Sequence, residues 1–167
     1  MRILTLLLSV LLSLGSVAAE VPLNVGDAAP DWSLENNNGE SVNYHEDSKE
    51  NISMIFFWAA GCRYCTSLMP HLEVIYRKYR SKGLKFYAIN AFEDGKIDPV
   101  EFFENNEYTF TMLENGDSVA EQYGIRRLPG LYVIDGGKKI IYRRPAGVSD
   151  VLVIQNVDLK IKQAIAR

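Results

Sequence analysis

The sequence predicts one α/β domain built on a mixed β-sheet, and three observations predict it. Strand-like and helix-like runs alternate along most of the chain. Their apolar spacing switches between the strand and the helix period. No internal repeat, linker or low-complexity stretch interrupts them.

The elements follow in order. "DWSLENNNGESVNY", from Asp31, reads as a β-hairpin around Asn38-Gly39. "NISMIFFW", residues 51–58, is rich in β-branched and aromatic residues and reads as a buried strand. In the following "TSLMPHLEVIYRKYRSKG", Leu68, Leu72, Ile75, Tyr76 and Tyr79 keep helical spacing. Gly83 caps that helix, and Arg77, Lys78, Arg80 and Lys82 face the negative end of its dipole. "LKFYAINA", residues 84–91, is a strand. Asp98 then N-caps a helix with Pro99 in its first position. "FTML" from Phe110 is a short strand, and "DSVAEQYG" from Asp117 a short helix ending at Gly124. "GLYVID" from Gly130 is a strand closed by Gly136-Gly137, with "KKIIYRR" as its hairpin partner. Ser149 or Asp150 caps a last helix to about Ala166, with Leu152, Val153, Val157, Ile161 and Ile165 on its apolar positions.

The N-terminus reads differently. Arg2 precedes an apolar run, Ile3 to Leu14, and Val17-Ala18-Ala19 offers small residues to a signal peptidase. Residues 1–19 are therefore expected to be a cleaved signal peptide, leaving one domain over 20–167. The run is short for a membrane-spanning helix, which needs about 20 apolar residues. The chain holds 18 basic and 21 acidic residues and no basic run, so nucleic acid is not an expected partner.

Export changes the meaning of the two cysteines, Cys62 and Cys65, which lie together in "WAAGCRYC". Disulfides persist outside the cytosol. A pair closing so short a loop gains little as a staple. Zinc needs two further ligands, and His45 and His71 do not have the spacing. Covalent haem needs histidine after the second cysteine, where Thr66 stands. Redox chemistry is favoured over zinc or a bare staple, with no cofactor. Cys62 sits where a strand ends and a helix begins, beside Arg63, which favours a thiolate. Cys65, one turn on, is shielded and can reach back to resolve a mixed disulfide.

These segments together resemble the exported TlpA/ResA-type, redoxin-like thiol–disulfide oxidoreductases of the thioredoxin fold. "VGDAAPDWSL" is similar to the family's entry segment, "FFWAAGCRYC" to its strand, tryptophan and CxxC, and Pro70 to its helix-kinking proline. "YGIRRLPGLYVID" is similar to its segment ending in a cis-proline and strand. The resemblance implies a mixed central sheet flanked by helices, an N-terminal hairpin extension and an inserted α/β segment. It implies Cys62 and Cys65 as the catalytic redox-active pair, Trp58, Tyr64, Leu128 and cis-Pro129 as the substrate face, and Glu93 as an acid behind the cysteines. It further implies a monomer in the periplasm that acts on thiols or disulfides of exported proteins, such as apocytochrome c, with a membrane thiol reductase as electron donor.

The sequence departs from the family at Gly61, Tyr64 and Gly130, where many members carry tryptophan, proline and threonine. Residues between and around the cysteines tune the potential. The departures leave reductase, oxidase and isomerase directions open, with reductase favoured by the resemblance. Gly61 and Gly130, both small, are expected to open the substrate groove. Two other functions compete. A peroxiredoxin-type peroxidase shares the "APDWSL" entry, but "WAAGC" lacks the proline and threonine that build its pocket. A metal-binding protein of the same fold would need a distal histidine, and none follows His71.

Overall fold

A computed structural model describes residues 22–166 of the chain. The expected signal peptide and its cleavage point lie outside the described residues. The first element is the expected hairpin, β1 (Ser33–Glu35) paired antiparallel with β2 (Ser41–Asn43), with Gly39 at φ 78° in the turn between them. A short helix that sequence periodicity does not reveal, α1 (Tyr44–Ser48), follows at once. Five residues are too few to show a period. Its start is instead fixed by Asn43, whose side chain accepts the N–H of Glu46.

The main sheet has the order β5-β4-β3-β6-β7. Its centre is β3 (Ser53–Trp58), buried at every position. The helix α2 (Arg63–Tyr79) leads from it to β4 (Lys85–Asn90), which lies parallel to β3. Next come α3 (Pro99–Asn105), capped by the Asp98 carboxylate, and β5 (Thr111–Leu113), parallel to β4 at the sheet edge. These two form the inserted α/β segment. Then α4 (Asp117–Gln122) leads to β6 (Gly130–Ile134), antiparallel to β3, and β7 (Ile140–Arg143) closes a hairpin with β6. The last helix is α5 (Asp150–Ile165).

Alternation along β3 explains the two cores. Met54, Phe56 and Trp58 face one cluster with Leu68, Leu72 and Ile75 of α2 and Val153, Val157 and Ile161 of α5. Ile55 and Phe57 face a second cluster, with Trp32, Tyr44 and Tyr87. Successive strand residues point to opposite faces, so a strand buried on both needs an unbroken apolar run. Burying each large side chain contributes roughly 1.5–3 kcal/mol. The second face is covered by the N-terminal segment. Isolated bridges tie it to both sides of the sheet, Ala28 to Lys139 and Asn36 to Leu113.

One expected core position of α5 is corrected. Leu152 is exposed, while Val153 is fully buried. The helix rotates its apolar stripe onto Val153, Val157 and Ile161, four residues apart, and that phase leaves Leu152 facing outward.

Candidate active site

The two cysteines occupy the junction of β3 and α2. Cys62 is the N-cap of α2: its N–H donates to Ala59 O, and its carbonyl accepts the N–H of Thr66 at 3.0 Å. Its sulfur accepts the N–H of Cys65 at 3.3 Å. Cys62 and Cys65 are joined by a disulfide with Cα atoms 5.2 Å apart. Their surroundings differ. Cys62 is half-buried and Cys65 fully buried. Pro70 lies inside α2, where it removes one helical N–H.

Glu93 follows β4, which runs beside β3. Its Oε1 accepts the N–H of Ala60 at 2.5 Å and the Asn90 side-chain amide at 2.6 Å. Its Oε2 is buried and has no hydrogen-bond partner. The acid thus holds the backbone two residues before Cys62; its described bonds go to that backbone and to Asn90, not to a sulfur. Asn90 had no sequence signal of its own, because its partnership depends on the turn after β4.

Asp94 stands on the other side of this turn. It is paired with Lys96, Nζ to Oδ2 at 2.6 Å, and that bond with the Lys96 N–H holds its carboxyl below the usual range. A side chain at Gly61 would meet Asp94 at ordinary contact distance, 3.6 Å.

Three of the expected substrate residues line one groove of about 780 Å³: Tyr64, Leu128 and Pro129. Tyr64 is exposed, and the Leu128-Pro129 peptide bond is cis. Trp58 is a correction. It is fully buried with its ring against Phe102, so it supports the site from within the core and presents no surface to a substrate. Gly130 is a second correction. A Cβ there would point at Ile125 Cδ1, 2.6 Å away, and at Phe57. Its small size serves packing beneath the groove, not the width of the groove.

Neither histidine lies with the cysteines in a metal-holding group, and no group of three or more candidate ligands forms among the described residues. His71 is exposed on α2, and His45 reaches toward Ala29 O and Asp31. The groove is also lined by Arg126, Arg127, Arg143 and Arg144, which sequence reading did not single out. Two Arg-Arg pairs were the available signal.

Residues 25–143 match the model of the AhpC/TSA family. The chain belongs to the AhpC/TSA family. Within it, the chain is similar to the thiol-disulfide oxidoreductase ResA of Halalkalibacterium halodurans, 28% identical over 135 residues, which cover 80% of this chain and 76% of that protein. It is also similar to the thioredoxin-like protein YneN of Bacillus subtilis, 29% identical over 118 residues, 70% of this chain and 68% of that one. Among solved structures, a Chlorobium tepidum protein assigned as thiol:disulfide interchange protein DsbE superposes with a TM-score of 0.73 at 25% identity, covering 86% of this chain and 99% of the other. This member of the AhpC/TSA family is a thiol–disulfide oxidoreductase of the thioredoxin-like fold with a CxxC pair.

Proposed function

We propose that the protein is exported and reduces disulfides in other exported proteins, apocytochrome c thiol pairs being one such class. The observation that carries this reading is the asymmetry of the pair: Cys62 half-buried at the start of a helix and Cys65 fully buried a turn inside. Helix N–H groups favour negative charge on Cys62. In the reduced protein the Cys62 thiolate attacks one sulfur of a substrate disulfide. The substrate bond breaks, its other sulfur leaves as a thiolate, and a mixed disulfide forms. The Cys65 thiol gives up its proton and attacks Cys62 Sγ. The substrate leaves with two reduced sulfurs, and Cys62–Cys65 becomes the disulfide. Two electrons have passed from protein to substrate, and an external dithiol, such as a membrane thiol reductase, restores them.

Glu93 acts here as a positioning residue through Ala60, and its buried, unpartnered Oε2 is the carboxylate oxygen offered to the Cys65 proton. Leu128 and Pro129 support the substrate backbone, and Tyr64 covers it. The leader at residues 1–19 supports export, and no helix among the described residues is long and apolar enough to cross a membrane.

A second reading, a peroxidase, is favoured by membership of the AhpC/TSA family alone. Reduced protein mixed separately with a protein disulfide and with hydrogen peroxide separates them. Loss of substrate disulfide with a 1:1 yield of Cys62–Cys65, at a rate far above peroxide consumption, supports the reductase; the reverse order supports the peroxidase.

A further inference from the structure

The groove beside the cysteines has a charge opposite to that of the chain. The protein carries a formal net charge of −3. Yet the groove walls include Arg126, Arg127, Arg143 and Arg144, with Asp150 as their acidic neighbour. The sequence separates the two arginine pairs, and the β6–β7 hairpin reunites them. Arg143 lies opposite Tyr132, and the Arg144 N–H donates to Leu131 O at 2.8 Å. Arg126 and Arg127 enter from the segment leading to Leu128-Pro129.

Among the described residues, the charges of Arg127, Arg143 and Arg144 are not neutralised by an ion pair; the pairs formed there involve Asp31, Glu73, Asp158, Asp47 and Asp94. Arg143 donates to a neutral group, Asn24 Oδ1, at 3.3 Å. Arg144 is half-buried, and its Nε is buried with no partner. Asp150 already accepts the Ser67 hydroxyl at 3.3 Å. Uncompensated guanidinium groups on the walls of a cleft concentrate positive potential there. Their planar donor forks match carboxylates in particular. The groove is also lined by Pro129 and by Tyr64, two residues along the chain from Cys62.

We propose that this groove docks an acidic, extended segment of the protein substrate, carboxylates on the arginines, so that a neighbouring cysteine of that segment reaches Cys62. The inference rests on the reading above that the redox partner is a protein. It adds the class of sequence the enzyme selects: cysteines flanked by Asp or Glu.

Binding and exchange test it separately. Three peptides of one sequence carry serine in place of cysteine and flanking residues that are all Glu, all Gln or all Lys. Fluorescence anisotropy with the oxidised protein is expected to show the Glu peptide binding about tenfold tighter than the Gln peptide, the size of one or two partly desolvated charge-assisted bonds, and the Lys peptide weakest. High salt is expected to erase the order. Arg127→Gln and Arg144→Gln are expected to abolish it, and Arg127→Lys to restore most of the charge preference. Equal binding of the three peptides, or an order unchanged in both Gln variants, would overturn the docking site. The same peptides with a disulfide then report exchange with the reduced protein: Glu-selective binding with no exchange would refute the reading as a reductase of protein disulfides and leave the docking site standing.

Discussion

The Glu93 carboxylate accepts the backbone N–H of Ala60 at 2.5 Å, so the turn after β4 holds the segment that presents Cys62. One oxygen does this and also binds Asn90, while the other is buried without a partner. Glu93→Gln keeps an oxygen for Ala60 and removes the charge proposed to accept the Cys65 proton. The variant is expected to fold and to keep its disulfide, but to exchange thiols at least about tenfold more slowly, a modest share of a full acid–base effect. Glu93→Ala also leaves the Ala60 N–H unpaired and is expected to lower stability by about 1–3 kcal/mol. Stopped-flow exchange over about pH 5 to 9, a range that spans the ionisation of reactive thiols, checks the first point. Profiles of wild type and Glu93→Gln that superimpose would remove Glu93 from the chemistry.

Gly130 follows Pro129, and its missing side chain makes room for Ile125 and Phe57. Gly130→Thr is expected to destabilise by about 1–3 kcal/mol through overpacking. Gly61→Ala meets only ordinary contact with Asp94 and is expected to change stability little. Urea unfolding of the two variants compares them. Equal midpoints would mean that the Gly130 contact relaxes freely.

The second core carries a tyrosine cluster that sets an alkaline limit. Burial pushes the Tyr44 hydroxyl up to about 12, and its oxygen lies 2.7 Å from Ser53 Oγ. Burial raises Tyr87 as well, helped by its bond to the Asp47 carboxylate. An unfolded tyrosine ionises near pH 10. Below that pH both states keep the proton and the full stability is present. Between about pH 10 and 12 the unfolded chain releases a proton that folded Tyr44 keeps, so stability falls as pH rises. Urea midpoints at increasing pH are expected to drop across this window, and less steeply in Tyr44→Phe. A midpoint independent of pH there would contradict the assignment.

The signal peptide expected over residues 1–19 gives a further prediction. Protein recovered from its own cell is expected to begin at Glu20, and N-terminal sequencing reads this directly. Retention of Ile3 to Leu14 would make it a tethered enzyme instead.

Much of the fold was legible because its signals are local. The β3 run, the Asp98-Pro99 helix start, the Asn38-Gly39 turn and Gly83 (φ 90°) after the 3₁₀ turn Arg80–Lys82 each depend on a few adjacent residues. The cysteine pair was legible for the same reason. What escaped depends on long-range packing. Trp58 looks like a substrate residue beside the motif, but strand alternation turns it into the core. The arginine groove needs the β6–β7 register to bring residues 126–127 and 143–144 together. The Glu93–Ala60 bond spans two parallel strands, and no spacing in the sequence encodes it.

Trapping separates an attacking Cys62 from a resolving Cys65. Reduced Cys65→Ser and Cys62→Ser proteins are each mixed with an excess of a protein disulfide, quenched with acid and weighed by intact mass spectrometry. Cys65→Ser is expected to accumulate a mixed disulfide between Cys62 and the substrate, because no second thiol can release it. Cys62→Ser is expected to stay almost entirely unmodified, since Cys65 is buried. Adduct on Cys65 in the Cys62→Ser protein, with none on Cys62 in the other, would reverse the roles and contradict the account.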